Sequence, residues 1–313
     1  MAPRTRIRAS LVASLQGAAN ASGEPVVRNF EDWRLFQFDQ DGLGSRPFGF
    51  EGVGRETISP FTSDEVIEVA QWLADREWLG YFLTKPMQPG GPDDCGPFEW
   101  PVIVSDLESF LRRFGDLMFR LGSGATHLEI DSLVDGLALA RLALRTAMAF
   151  GSSSRALERE VLSEWVDLWE SPPWEGWLAD LSGFDPSLGD PPYPARLRRP
   201  LVRYALGSWA AAFGVQVHWP FDASDRPLEP RFAASSGLGL VFLTCGITAG
   251  AVKGGGVVET LGTCDECGAI FVADRRRKRG GQTMTFCSTK CGNRNRARRF
   301  RATQSKEGRT NAK

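Results

Sequence analysis

Apolar residues recur at helical spacing through much of the first 250 positions. The first firm signal follows Pro60. Thr62 and Glu65 have the spacing of a capping box, and Phe61 and Val66 are placed as the hydrophobic staple around it. This predicts a helix from Thr62 towards Phe82. Pro86, Pro89, Gly90, Gly91 and Pro92 then force a linker. A second helix is predicted to start at Ser105, with Glu108 three residues on. Its face is Leu107, Phe110, Leu111, Phe114, Leu117, Met118 and Leu121, and Gly122 is its natural stop. Residues 129–150 read as a third helix, apolar on several sides and therefore central. A fourth is predicted over 155–169, with Leu157, Val161, Trp165 and Leu168 in phase.

The Pro- and Gly-rich stretch 171–200 reads as a long loop whose Trp174 and Trp177 pack back onto the body. Helices resume over 201–213, and a further helical stretch is expected over 232–252 in spite of its glycines. Residues 26–60, with scattered aromatics and many glycines, suggest only short strands or loops. The expected architecture is a disordered leader over 1–25 and a mostly α body over 26–252. A glycine-rich hinge at 253–260 follows, where Lys253 precedes three glycines. A small finger over 261–304 and a disordered tail over 305–313 complete it.

Charge changes this picture more than composition does. The formal net charge of the 313 residues is -1. From Cys264 to Lys313, however, there are 14 Lys or Arg against 4 Asp or Glu, a net of +10. The preceding residues carry 23 basic and 34 acidic side chains, a net of -11. A local basic surface attracts polyanions whatever the overall charge. The acidic body is expected to face away from such a ligand, or to mask the tail when idle.

No membrane span is expected. The best apolar run, Leu238 to Val252, has fifteen residues and three glycines, short of the roughly 18 residues a span needs. The first 23 residues carry Arg4, Arg6 and Arg8 and no acid. That composition suits an organellar presequence, but a disordered leader is the preferred reading. The chain has only His127 and His218, and it lacks GxSxG, GxxxxGK and HExxH. It is therefore not expected to be an enzyme, although body carboxylates converging in a cleft remain the enzymatic alternative.

Four of six cysteines carry the strongest chemistry. Cys264 and Cys267 are separated by two residues, Cys287 and Cys291 by three, with nineteen between the pairs. Two close pairs at this distance suit one shared zinc ion with four thiolates. A redox pair at Cys264 and Cys267, or iron in a thiolate cage, are the competing readings. Paired free thiols fit a reducing, cytoplasmic setting. Cys95 and Cys245 lie far from the cluster and read as plain thiols. Ile270 to Val272 suggests a strand, Gly280 and Gly281 a turn, and Thr283 to Phe286 a returning strand. A helix is predicted over Ser288–Thr303, where spacing i to i+4 puts Cys287 and Cys291 on one face. Knuckle, hairpin and helix make a treble-clef-like module.

The helix and its approach are unusually basic. Arg294, Arg298 and Arg301 share one sector, and Ala297 and Phe300 an adjoining apolar one expected to pack on the hairpin. Arg275, Arg276, Arg277, Lys278 and Arg279 form an unbroken run in the expected hairpin loop. Such clusters bind phosphates by counterion release, and a helix bearing Arg can read guanine in the major groove. Arg294 and Arg298 are expected at base edges, and 275–279 at phosphates. A solvated basic helix that only holds a small domain together would show the same residues. An RNA or ribosome binder, and a protein-interaction scaffold, are the functional alternatives.

The run Cys291-Gly292-Asn293-Arg294, with Cys264, Cys267, Cys287 and the Arg-rich helix after it, resembles the CGNR zinc finger family. The likeness spans about 50 of the 313 residues. That family places its finger at the C-terminus of a mostly helical domain and is described as bacterial transcription regulators. The resemblance implies Cys264, Cys267, Cys287 and Cys291 as ligands of one structural zinc. It also implies Asn293 and Arg294 as motif residues, and the basic helix, with Lys290, on double-stranded DNA. One finger is small, so useful affinity is expected to need a homodimer or contacts from the body. The cluster Trp165, Trp169, Trp174 and Trp177 offers a lining for a small-molecule effector, against the plainer reading of ordinary core.

Overall fold

A computed structural model describes residues 25–37, 48–85, 97–120, 127–151, 155–170, 195–218, 231–250, 259–267, 269–274 and 286–310. Within these the chain is mostly helical, with eight helices. The expected leader, the 86–92 linker, most of the 171–200 loop and the basic run 275–279 lie outside the described residues.

The N-terminal segment forms more sheet than its pattern advertises. Strand β1 (Val26–Asn29) pairs antiparallel with β4 (Thr57–Pro60). Strand β2 (Asp32–Gln37) pairs with β3 (Phe48–Val53), which also takes β5 (His127–Glu129) on its other edge. Trp33 and Phe50 point from this sheet into the core, at 1% and 0% exposure.

Helix α1 (Ser63–Ala74) starts where the capping box predicts. The Glu65 amide donates to Thr62 Oγ1 at 3.4 Å, and the Thr62 amide donates to Glu65 Oε2 at 2.7 Å. Phe61 and Val66 are buried beside it. The helix does not continue to Phe82. It stops at Asp75, and a separate α2 (Trp78–Thr84) follows. Tertiary contacts make the break: Asp106 accepts from Trp78 Nε1 at 3.0 Å and pairs with Arg76 at 2.9 Å, while Arg76 lies over the Trp72 ring.

Helix α3 (Trp100–Phe114) corrects the expected start at Ser105. Its N-cap is Glu99, and Pro101 sits in the first turn, where its missing N–H costs nothing. The fully buried Ile103 and the Trp100 ring against Phe48 draw that extra turn onto the body. The stop is Gly115, not Gly122, which lies outside the described residues. Gly115 has φ +72°, and a Cβ there would lie 2.1 Å from Asn29 Oδ1. Leu117 and Met118 therefore belong to the segment after the helix. There Asp116 forms a buried pair with Arg28 at 2.9 Å. Burial pushes the Asp116 carboxyl up, and Arg28 offsets only part of that.

Helix α4 (Ile130–Gly151) is the central element, as its all-round apolar pattern predicts. It touches α1, α2, α5 (Arg155–Glu170) and α7 (Gly237–Thr248). Fully buried Ala140, Ala143 and Ala147 keep its surface low enough for that many neighbours. In α5, Val161, Trp165 and Leu168 are buried and Leu157 is partly so. Trp165 stacks on Trp209 of α6 (Ala195–Ala212), with ring centroids 4.7 Å apart. Trp165 is thus packed in the core; Trp174 and Trp177, and the side chain of Trp169, lie outside what the structure describes. Helix α6 starts six residues before the expected 201, tied to α5 by the Arg199–Glu158 pair.

The expected helix over 232–252 is a strand followed by a shorter helix. Strand β6 (Val215–His218) pairs with β7 (Arg231–Ala234). Ser236 then caps α7, its Oγ accepting from the Gly239 amide at 3.0 Å and donating to the Phe213 carbonyl at 2.8 Å. The glycines that weaken the helical pattern are close-approach sites. A Cβ on Gly239 would lie 2.4 Å from the Phe213 carbonyl oxygen, and one on Gly237 2.8 Å from Leu117. No described helix is long and apolar enough to cross a membrane.

Candidate metal centre

The tail begins inside the body's own core. Strand β8 (Glu259–Thr263) pairs with β9 (Ile270–Asp274), from Glu259 opposite Asp274 to Thr263 opposite Ile270. Leu261 and Ile270 join the core cluster of the body, and the Leu261 amide donates to Thr248 Oγ1 at 2.9 Å. The partner of Ile270 to Val272 is therefore the strand before the cysteines. Phe286 lies in no strand, and 283–285 fall outside the described residues. The chain is already strand at Glu259, within the stretch expected as hinge.

The turn between β8 and β9 is the first cysteine knuckle. The Cys264 amide donates to the Ala269 carbonyl at 2.9 Å, closing it. The second pair flanks the start of α8 (Thr289–Thr310). Ser288 Oγ accepts from the Cys291 amide at 3.3 Å, which is N-cap geometry and sets where the helix begins. The helix runs to Thr310, past the expected Thr303, through Gln304, Lys306 and Glu307, all good helix formers.

These elements bring four sulfurs together. The Sγ atoms of Cys264, Cys267, Cys287 and Cys291 all lie within 4.8 Å of one another. Cys267–Cys287 is 3.6 Å, Cys287–Cys291 3.7 Å and Cys291–Cys267 3.8 Å. A tetrahedral ion with metal–sulfur bonds of about 2.3 Å sets its sulfurs about 3.8 Å apart. The cluster could thus hold a metal ion with little movement. Cys264 and Cys291 are buried, and Cys267 is exposed.

The four thiols are electrostatically unlike. Burial disfavours charge on Cys264, but the backbone amides of Cys287, Cys267 and Glu266 outweigh it and bring that thiol down to about 6. Cys287 is pushed up to about 12 by its neighbours Cys267, Cys264 and Cys291. Four thiolates cannot crowd together without a cation to offset their repulsion. The positive end of α8 supplies part of that charge, and a divalent ion would supply the rest. Cys245 is a different case: buried in the body, its thiol is pushed up to about 12 and is inert.

The buried face of α8 is Cys291, Gly292 and Asn295. Ala297 and Phe300, expected to pack on the hairpin, are exposed, Phe300 at 64%. Cys291 and Asn295, turned inward, set the roll of the helix, and the apolar sector falls outward. Lys290, Asn293, Arg294, Arg298 and Arg301 are all exposed. They line an open groove of about 800 Å³ beside the knuckle residue Glu266. Arg298 is paired with Glu266 at 3.1 Å, a contact that spacing within the helix gives no means of finding. His127 is exposed on β5, and no second histidine lies near it in sequence.

No family model, curated protein or solved structure matches the chain. The likeness to CGNR fingers rests on the cysteine, asparagine and arginine motif of the tail alone.

Proposed function

We propose that this protein is a DNA-binding transcription regulator whose tail is a treble-clef-like finger organised by one structural zinc ion. The observation that carries the reading is the joining of two features. Four sulfurs gather within 4.8 Å of one another at the foot of α8, and the same helix turns Lys290, Arg294, Arg298 and Arg301 to one groove. Zinc suits an all-thiolate, closed set that needs no open position. The CGNR-like motif at 291–294 agrees with this reading, and the net +10 of the tail favours a polyanionic partner.

The test is a binding titration of the full chain against labelled duplex DNA at rising salt, with and without a zinc chelator. With Arg294 and Arg298 at base edges, phosphate contacts fall to Lys290, Arg301 and the basic run 275–279. About six such contacts predict a slope of about -5 in log K against log salt, and about a 1000-fold loss between 50 and 200 mM. Chelation is expected to abolish the binding. Absence of binding at low salt by zinc-loaded protein would remove the proposal.

A further inference from the structure

One acid stands among the cations of the groove, and it is firmly held. Glu266 lies in the knuckle between Cys264 and Cys267, and its side chain is only 15% exposed. Its Oε2 forms an ion pair with Arg298 Nη2 at 3.1 Å and accepts a hydrogen bond from Asn295 Nδ2 at 3.4 Å. Asn295 is buried, whereas the Arg298 side chain is 63% exposed. One carboxylate thus reaches from the knuckle to α8 and fixes an outward-facing guanidinium.

A groove that took only phosphates would gain nothing from an acid in its lining, since carboxylate and phosphate repel. An acid beside an arginine suits a ligand that offers an acceptor and a donor side by side. The major-groove edge of a G·C pair does so: guanine presents O6 and N7 as acceptors, and cytosine its N4 amino group as donor. Guanine O6 and cytosine N4 of one pair are hydrogen-bonded to each other at about 2.9 Å. Arg298 Nη2 and Glu266 Oε2 are 3.1 Å apart, so the protein pair repeats that spacing with donor and acceptor reversed. A guanidinium has five donors in one plane, so a bond to Glu266 leaves others for the base.

Resting on the function proposed above, we infer that Arg298 and Glu266 together read one G·C pair in the major groove of B-form DNA. Lys290 and Arg301 lie eleven residues apart, about 16 Å along the helix. That exceeds the roughly 12 Å width of the groove, which places them at the phosphates on either edge. A-form RNA is excluded as the preferred ligand because its major groove is too deep and narrow for a helix to enter. Glu266 has a second effect. It repels phosphates wherever the helix is out of register, and so suppresses non-specific binding.

The experiment selects sites from a random duplex pool with the full, zinc-loaded chain. Affinities are then compared for wild type, Glu266→Gln, Arg298→Ala and Arg301→Ala, with zinc content measured for each. The wild type is expected to enrich one fixed G·C pair, and A·T at that position to weaken binding about tenfold. Glu266→Gln should bind random duplex more tightly than wild type while that preference shrinks towards onefold. Arg298→Ala, at an exposed position that does not threaten folding, should lose the same preference with its salt slope unchanged. Arg301→Ala should keep the preference and lose about one unit of slope. An unaltered preference in zinc-loaded Glu266→Gln or in Arg298→Ala would overturn the inference and leave DNA binding standing. Binding of structured RNA in place of duplex would likewise overturn it. Failure of the wild type to bind any duplex or RNA would overturn this inference and the proposed function together.

Discussion

In the body, Trp165 and Trp209 stack face to face, and Phe242 meets Trp209 edge-on, all fully buried. Among the described residues, the tail's own cluster buries Cys264, Phe271 and Cys291, with Phe286 and Cys287 partly covered. Each large apolar side chain buried is worth about 1.5–3 kcal/mol. The body has dozens of apolar side chains buried in this way, and the described residues of the tail have few. Yet the tail carries a helix of 22 residues that is polar on nearly every side, a kind of helix with little stability of its own. The body is held by burial, and the tail instead gathers four sulfurs that could hold a metal ion. The β8–β9 hairpin belongs to both: Leu261 and Ile270 are body core, and Cys264 follows three residues after Leu261. The difference teaches that the tail's fold and charge display should respond to metal, and the body's should not.

The strongest challenge from the body's side is Trp165→Ala. It removes a buried ring, its stack on Trp209 and the bond from its Nε1 to Thr146 Oγ1 at 2.8 Å. About 3–5 kcal/mol of body stability should be lost, read by denaturant unfolding. The affinity for zinc, read by chelator competition below the unfolding transition, should stay as in wild type. A parallel loss of zinc would merge the two regions into one cooperative unit.

Asp135 gives a smaller effect of opposite sign. Its carboxyl is pushed up to about 8, first by burial and then by Asp131 one turn away. Its Oδ1 has no hydrogen-bond partner among the described residues. The folded form therefore keeps a proton that the unfolded chain releases near 4. Stability from this group is full below about 4, falls as pH rises, and is exhausted above about 8. Asp135→Asn mimics the protonated form. It should remove that slope and add on the order of 2–4 kcal/mol at pH 7, measured by urea unfolding at pH 5, 7 and 8.5. The smallest expected effect is Thr62→Ala, which deletes the capping box of α1 at a cost of about 1 kcal/mol. A thermal melt of the body would register it, and metal affinity would not.

Local signals were legible where the chain itself supplies both partners. The box at Thr62 and Glu65, the periodicity of α4 and α5, and the cysteine pairs all work at short range, and all appear as expected. The misreadings arise where a distant residue decides. Asp106 splits α1 from α2, Asn29 and Arg28 demand the stop at Gly115, and the Phe213 carbonyl explains Gly239. The same holds in the tail. Sequence spacing finds the sulfurs, but it misses the strand Glu259–Thr263 that pairs with β9, because that partner precedes the first cysteine. It rolls Phe300 inward because the pull of Cys291 and Asn295 cannot be weighed from periodicity. It misses Glu266 as the partner of Arg298 because knuckle and helix, more than twenty residues apart in sequence, are brought together only by the fold.

The most direct test is hydrogen exchange across the full chain, zinc-loaded and then chelated. The account predicts that amides of α8, Thr289–Thr310, lose protection on chelation. The body helices should keep theirs, and β8 should retain much of its own through Leu261 and the bond to Thr248. Equal protection of α8 with and without metal, in a protein shown to carry zinc beforehand, would contradict it.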